Sequence, residues 1–334
     1  MVGAVILFMF VVNNSWMYKS PVAKVLAVHN NGNKQSIELR LENGSDKGKN
    51  VYVKNKYDKS QVYDERYFKH DYVFLNDEYT GITGIKRDYW VAAIFLFLLS
   101  SLITVGGKRG TYTSLSILGN IALFGIIIYM NMRGVDILYM TIAGTVIFTF
   151  FVLLVVDGLS HRMMLSFAAA LLTTLLLSSL VMLLIWHTDI DYDFLHFLPE
   201  PFTTTDANHF FLAQIIIGCL GAVIDVSVTI TAACMELIER TPSISNKSLL
   251  RSVREVADDI NGTMISVVLL TNIASTLPIF LISMSNEISF RTVVSHDAYF
   301  YIVRSLTGML SIVVAILVST FITSLVARKE LKHD

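Results

Sequence analysis

The sequence predicts a polytopic α-helical membrane protein that carries one small antiparallel β-domain. Hydrophobic residues make up 54% of its 334 positions and charged residues only 16%, which is more apolar than a soluble domain of this length requires. Apolar runs long enough to cross a bilayer recur along the chain, and one polar segment near the N-terminus has the two-residue period of strands. These observations together define the expected fold class.

Eight apolar stretches are candidate membrane spans, because about 20 apolar residues cross a bilayer as a helix. They cover residues 2–13, 89–106, 112–131, 135–156, 163–186, 210–234, 263–284 and 299–326. The first is short, lacks the basic flank of a signal peptide or an anchor, and is not followed by a small-residue cleavage site. Residues 1–16 are therefore interpreted as an uncleaved anchor helix with a truncated beginning, residues 89–326 as a seven-helix membrane domain, and residues 327–334 as a tail.

The orientation follows from the short loops, because their Lys and Arg residues mark the cytoplasmic side. With eight spans, one side collects Lys108, Arg109, Arg162, Arg240, Lys247, Arg251, Arg254, Arg328, Lys329 and Lys332. The other side is poorer in basic residues. We therefore expect a multi-pass protein of the plasma membrane with both termini in the cytoplasm and residues 17–88 outside it.

Residues 17–88 have the pattern of a β-domain. Apolar and polar residues alternate in four segments separated by Asn- and Gly-rich turns, namely 22–29, 35–42, 49–55 and 71–77. The size and strand count predict a partly open barrel of the OB or SH3 type. Two roles stay open for it: such barrels can bind nucleic acid or sugars, or the domain is a rigid extracytoplasmic cap that binds a lipid, a partner protein or nothing.

The most informative residue is Asp225, which lies inside an apolar span. An ionisable group at membrane depth is costly unless it faces protein or water, so it indicates a functional site by default. On a helical wheel it shares one narrow seam with Gln214, Gly218, Gly221, Thr229 and Glu236. We expect this seam to face protein, either as a proton or cation site or as a packing seam that only holds helices together.

The next span carries a second polar face, made by Asn261, Asn272, Ser275 and Thr276. Pro278 near its outer half predicts a kink or a discontinuous helix. Before this span, Ser245 or Asn246 can cap an amphipathic helix from residue 247, which we expect to lie along the inner membrane surface. Its last residues, Asp258 and Asp259, either gather cations with Glu236 or pair with nearby arginines.

Arg304 is the natural counter-charge for Asp225, but the two lie at different predicted depths. Asp225 is about fifteen residues inside its span and Arg304 about five, a difference of roughly 15 Å at the helical rise. We therefore expect Arg304 to extend toward the outer interface instead of bonding Asp225.

Several functions are disfavoured by the sequence. A net charge of −1 and the lack of basic runs argue against nucleic acid, and no nucleotide, zinc-protease or serine-hydrolase motif is present. We therefore expect no enzyme activity and no cofactor. Cys219 and Cys234 lie fifteen residues apart on one predicted helix, about 22 Å, too far to bridge each other.

The segment from residue 218 to 278 resembles the YibE/F family of bacterial multi-pass membrane proteins. The matching positions are Gly221, Ala222, Asp225, Pro242, Ser245, Asp259, Gly262, Thr263, Met264, Leu277 and Pro278. The basic turns after the second and fourth spans and the outer β-segment fit as well, while Ser266 and Ala274 depart from the pattern. The resemblance implies the fold and a bacterial plasma-membrane location, but it implies no activity.

The residues themselves must then support the functional hypothesis. The leading one is a transporter or permease whose intramembrane polar site centres on Asp225 and includes Thr229, Gln214, Gly218, Gly221, Asn272, Asn261 and Asp259, with a proton or cation as partner. The alternative is a non-transporting scaffold or accessory protein whose outer β-domain, residues 17–88, binds an envelope or secretion partner.

Overall fold

The computed structural model describes residues 13–58, 64–187, 203–294 and 299–330. The predicted anchor at residues 2–13 falls almost entirely outside these ranges. The chain forms two compact units, divided between Ser114 and Leu115.

The β-domain is a five-stranded antiparallel sheet with the strand order β3-β2-β1-β4-β5. The strands are β1 (Val22–Asn31), β2 (Lys34–Leu41), β3 (Asn50–Lys56), β4 (Tyr72–Leu75) and β5 (Ile82–Ile85). The antiparallel β-domain and its first four strands agree with the alternation of the sequence. The fifth strand was not predicted, since four residues that include a glycine are too few to show a period.

The alternation of β2 explains the core of this sheet. Its odd-numbered residues point inward and its even-numbered residues are mostly exposed, as the two-residue period of a strand requires. The buried side chains are Ala23, Val25, Ile37, Leu39, Leu41, Val53, Tyr67, Val73 and Leu75. No ladder joins β3 to β5 among the described strands, so closure into a barrel stays a prediction.

A buried ion pair connects the last strand to the first long helix. Lys86 is 1% exposed, and its Nζ lies 2.9 Å from Oδ1 of Asp88, the first residue of that helix, where a carboxylate also suits the helix dipole. Three tyrosine rings, of Tyr18, Tyr72 and Tyr89, surround the ammonium at 5.7 to 5.9 Å. The Tyr18 hydroxyl donates to Asp88 over 2.7 Å, and burial together with that carboxylate raises the pKa of Tyr18.

Six of the described helices are long and apolar enough to cross a membrane. They are α1 (Asp88–Met132), α2 (Ile137–Asp157), α3 (His161–His187), α4 (Thr204–Arg240), α5 (Asn246–Ser285) and α6 (Tyr299–Glu330), with a single turn, Phe290–Thr292, before α6. The protein is thus mostly helical, as predicted. α1 has 45 residues, which is about twice the length that a bilayer requires.

α1 is broken at Gly107, where the backbone leaves the helical region with φ 55° and ψ −126°. This break falls between the predicted spans 89–106 and 112–131. A Cβ added at Gly110 would overlap the backbone carbonyl oxygen of Leu102, eight residues earlier. Glycine is therefore required at residue 110, because any larger residue would force two backbone segments apart.

α4 is the central helix of the unit that begins at Leu115, since it contacts α2, α3, α5 and α6. A capping box between Thr203 and Asp206 starts it, and its His209 Nδ1 lies 2.6 Å from Oδ2 of Asp136, the N-cap of α2. One face is buried in the core, with Ile215, Cys219, Val223, Val226, Ile230, Cys234 and Ile238 between 0% and 4% exposed.

α5 corrects two expectations. The predicted surface helix and the following span form one continuous helix that begins after the Ser245 cap, whose Oγ accepts from the Ser248 amide. Its first turns pack into the core through Leu249, Val253 and Ala257, so this segment is no separate surface helix. Pro278 lies inside the helix, which continues to Ser285, and α5 is not discontinuous there.

The Gly110 contact leads to a direct test. We expect Gly110→Ala to lower the thermal midpoint and the yield of folded protein, because the new methyl group overlaps the carbonyl of Leu102. Gly106→Ala is the matched control, since nothing lies within 4 Å of a Cβ at residue 106. The thermal midpoint is measured as the temperature at which half of the detergent-solubilised protein is lost from its peak in size-exclusion chromatography. Equal midpoints for the two variants would contradict the close approach.

Candidate functional site

An open groove lies between α4, α5 and α6, with a cavity volume of about 460 Å³. It is named the α4–α5–α6 groove here. Its lining residues are Gly218, Gly221, Ala222 and Asp225 of α4, Met264, Val267, Val268, Thr271 and Asn272 of α5, and Arg304 and Gly308 of α6. Asp225 and Arg304 are the two charged residues of this lining, and both lie within long apolar helices.

The polar seam of α4 faces away from the core. Gln214, Gly218, Gly221, Asp225, Thr229 and Glu236 are all exposed, while the opposite apolar face is buried. The seam is thus exposed instead of packed against protein as expected, and the opposite face packs against other helices. The physical reason is that α4 is central, so its apolar face fills the core and its polar face is left to line the groove.

Arg304 connects two walls of the groove. Its Nε donates to Asn272 Oδ1 over 2.9 Å, and its Nη2 donates to Ser275 Oγ over 3.2 Å. The guanidinium carbon Cζ of Arg304 lies 5.3 Å from the centroid of the Tyr301 ring, which is within the range of a cation–π interaction. Arg304 thus bonds neutral side chains of α5 and not Asp225, as expected, and its extension toward the outer interface stays a prediction.

Glycines shape the space beside these side chains. A Cβ at Gly218 would lie 3.8 Å from Cδ of Arg304, so the arginine stem rests against the α4 backbone. A Cβ at Gly308 would lie 3.1 Å from Cγ1 of Val268, which is tight. Nothing lies within 4 Å of a Cβ at Gly221. The groove is therefore open beside Asp225 and narrow where α5 meets α6.

The two charges of the groove have no ion-pair partner among the described residues. Arg304 bonds two neutral side chains, and the Asp225 carboxylate has no hydrogen bond or salt bridge there. Gly218, which touches Arg304, precedes Asp225 by seven residues, or about 10 Å along α4. The stem of Arg304 thus meets α4 about two helical turns from Asp225, which is less than the predicted difference in depth of roughly 15 Å.

The structure brings together four of the eight predicted site residues: Gly218, Gly221, Asp225 and Asn272. Gln214 and Thr229 share the exposed face of α4 but do not line the cavity, and the Thr229 hydroxyl donates to the Asp225 carbonyl oxygen over 2.9 Å. Asn261 and Asp259 lie further toward the start of α5, and the buried Oδ1 of Asn261 has no hydrogen-bond partner among the described residues.

At the C-terminal end of α4, Glu236 pairs with Arg240 over 2.6 Å. Pairing with arginines was one of the two alternatives left open for these carboxylates, and the gathering of cations was the other. Asp259 is exposed and takes part in no ion pair among the residues that the structure describes.

Sequence reasoning missed several lining residues. Arg304 was considered only as a partner of Asp225, and its bond to Asn272 was not foreseen. Thr271 and Gly308 gave no signal, because single threonines and glycines are common in membrane helices. A signal for Arg304 was available: a charged side chain inside an apolar span requires a polar partner, and Asn272 is a polar residue of the preceding span.

Long apolar helices around a central helix, with a charged groove along it, define an integral multi-pass membrane protein. The chain belongs to the YibE/F family: the family described as YibE/F-like protein matches residues 93–329. The YibE/F family N-terminal domain matches residues 16–87. The resemblance seen in the sequence is thereby confirmed. Neither a curated protein nor a solved structure matches the chain.

Thiol labelling tests whether the groove holds water. The native Cys219 and Cys234 are 4% and 0% exposed, so we expect no reaction of either with a water-soluble maleimide in the folded protein. Gly221→Cys places a thiol in the open groove and should react within minutes, because thiolates form where water reaches. Val223→Cys, at a 0% exposed position, is the control. An unreactive Gly221→Cys would indicate a lipid-filled or covered groove.

A double-mutant cycle tests the bond between α5 and α6. We expect Arg304→Met and Asn272→Ala each to lower the free energy of unfolding, because each removes a hydrogen bond to a charged group worth about 1.5 to 3 kcal/mol. The double variant should lose clearly less than the sum of the two. Thermal unfolding in detergent gives the comparison, and additive losses would show that the two side chains do not interact.

Proposed function

We propose that this protein is a permease that moves a small charged solute along the α4–α5–α6 groove, coupled to a proton or cation at Asp225. The observation that supports this most is the pair of unpaired opposite charges in one cavity between long apolar helices. Unpaired charges at membrane depth are costly and typically mark ion or substrate pathways. The protein acts as a carrier in this proposal and not as an enzyme.

The size of the groove suits this role. Cavities of roughly 300 to 1,000 Å³ accept small molecules, and the groove encloses about 460 Å³. Its walls are mostly glycine and apolar side chains, with polar groups contributed by Asp225, Thr271, Asn272 and Arg304. A solute bound there is held by few, well-separated polar contacts, which is typical of sites that must also release what they bind.

The two charged residues have different tasks. The carboxylate of Asp225 can take up a proton or coordinate a cation, so its charge changes during a cycle. The Arg304 guanidinium keeps its charge at any physiological pH, and it ties α6 to α5 through Asn272 and Ser275. Protonation at Asp225 therefore changes the net charge of the groove between zero and plus one.

Movement of α5 would open and close the groove. In the most apolar stretch of α5, 6% of the residues are buried, whereas 61% are buried in the corresponding stretch of α4. α5 is therefore held by far fewer packed side chains. Elements with few buried contacts are the ones that move most readily. In this proposal α4 is the fixed wall and α5 the moving one, with the Arg304–Asn272 bond breaking and reforming between states.

The location proposed with this function is the bacterial plasma membrane, with both termini in the cytoplasm and residues 17–88 outside. Basic residues in the short loops support this orientation.

Neutralising Asp225 tests the proposal. Proteoliposomes on a solid-supported membrane should give transient currents when pools of organic acids, amino acids or inorganic ions are added with an imposed pH or sodium gradient. Asp225→Asn should remove at least about nine-tenths of the coupled current, because the carboxylate that changes charge is gone. Glu239→Gln is the control, since Glu239 lies on the same helix, is exposed and is outside the groove.

Undiminished currents in Asp225→Asn, with normal protein levels, would remove Asp225 from the transport cycle. A wild-type protein without current in any pool would favour the scaffold alternative.

A further inference from the structure

A second polar concavity lies on the β-domain, at one end of β1, β2 and β3, with a cavity volume of about 610 Å³. It is named the lysine surface here. Its lining residues are His29, Asn30, Asn31, Lys34, Gln35, Ser36, Lys54, Asn55 and Lys56. All of them are polar, three are lysines, and none carries a carboxylate. The inference drawn from it is independent of the groove and of the function proposed for that groove.

The sheet register places the three lysines on one face. Lys34 of β2 is directly opposite Lys56 of β3, and Lys54 is opposite Ser36. Because side chains of one face recur every two residues, Lys54 lies about 7 Å along the strand from Lys56. Like charges directly opposite each other destabilise an antiparallel pair. The arrangement is unfavourable for the isolated sheet.

Four basic residues of this domain have carboxylate partners, and the three clustered lysines are not among them. Arg40 pairs with Glu42, Lys49 with Asp46, and Arg87 with Glu65, while the buried Lys86 pairs with Asp88. Among the described residues no ion pair includes any of the three lysines of the surface.

Glu38 is the next acidic side chain along β2 on this face, and one of its carboxylate oxygens takes part in two hydrogen bonds. Its Oε1 accepts hydrogen bonds from Asn50 and Tyr52. Glu38 lies outside the lining of the lysine surface, whose side chains include no carboxylate.

The strands that carry the three lysines are held together by hydrogen bonds on their other face. Gln35 is 2% exposed, and its amide donates to Asn30 Oδ1 and to the Tyr67 carbonyl over 2.9 and 3.0 Å. The Gln35 carbonyl oxygen accepts from Asn55 Nδ2 and from the Tyr67 amide. These four bonds tie β1, β2 and β3 together on the face opposite to the lysines, so the strands that carry the lysines are held in place before a ligand arrives.

A protective role explains only part of the pattern. β3 is at the edge of the described sheet, and lysines on an edge strand prevent pairing with other chains. That reason covers Lys54 and Lys56. It does not cover Lys34, because β2 lies between β3 and β1 and has no free edge.

We propose that the lysine surface binds a linear anionic polymer whose negative groups are phosphates. Lysine ammonium groups bind phosphate as point charges, and the Asn31 amide and the Ser36 hydroxyl on the same face can donate to phosphate oxygens or accept from polymer hydroxyls. Positive charges about 7 Å apart along β3 favour a chain with repeated anions over a single small ion.

The chemistry of the lining disfavours other macromolecules. A protein interface requires apolar or aromatic anchors at its centre, and single-stranded nucleic acid requires aromatic side chains for base stacking; the lining has neither. A bilayer is flat and usually takes up apolar side chains as well as binding charge. A concave surface of lysines and amides fits a flexible polyanion better.

The test uses the full-length protein in nanodiscs of neutral lipid, titrated against fluorescently labelled polyphosphate of medium chain length at about 0.1 M salt. We expect Lys34→Gln/Lys54→Gln/Lys56→Gln to weaken binding at least about tenfold, because counter-ion release at three charges is lost. The control triple, Lys19→Gln/Lys47→Gln/Lys69→Gln, removes the same charge from exposed lysines elsewhere on the domain and should stay within twofold of wild type.

Two further measurements separate the site from its alternatives. The arginine triple at Lys34, Lys54 and Lys56 should retain binding, and the glutamine triple there should unfold at the same or a slightly higher temperature, since it removes like-charge repulsion. Equal losses in the site and control triples would overturn the proposal in favour of general basicity. Absence of polyphosphate binding in the wild type, or binding to anionic vesicles alone, would overturn it as well.

Discussion

The burial of one face of α4 is the constraint on which the membrane domain depends. Hydrophobic transfer does not drive helices together inside a bilayer, so association there rests on close packing. The apolar face of α4 meets that requirement against α2, α3 and α6. Once this face is in the core, the face with Gly218, Gly221 and Asp225 has no place except the outside of α4, and α5 and α6 turn that outside into a groove.

The way α5 is held gives the groove its chemical character. Its first turns pack into the core through Leu249 and Val253, so that end is fixed. Its C-terminal half presents large apolar side chains to the surroundings, and its polar attachment there includes the hydrogen bonds from Arg304 to Asn272 and Ser275. A helix anchored at one end and attached at the other by breakable polar bonds can move without unfolding. This supports a cycle of access to Asp225.

Lysines occur in two opposite settings in the β-domain. Lys86 is buried, paired with Asp88 and enclosed by tyrosine rings, and removing one partner of such a pair is typically costly. Lys34, Lys54 and Lys56 are exposed and unpaired, and their mutual repulsion costs the sheet stability. Structural necessity accounts for the first setting. The second is the basis of the proposal that an anionic polymer binds there.

The sequence alone determined the membrane class, the two-part α1, the first four strands, the family and the polar seam around Asp225, because periodicity and apolar length are local properties of a chain. Tertiary structure decided which face of α4 is buried, the union of the surface helix and span into one α5, and the bond of Arg304 to Asn272. A seam is equally periodic whether it faces inward or outward, so its direction depends on the neighbours of α4. β5 was also beyond the sequence pattern, since four residues become a strand only through pairing with β4.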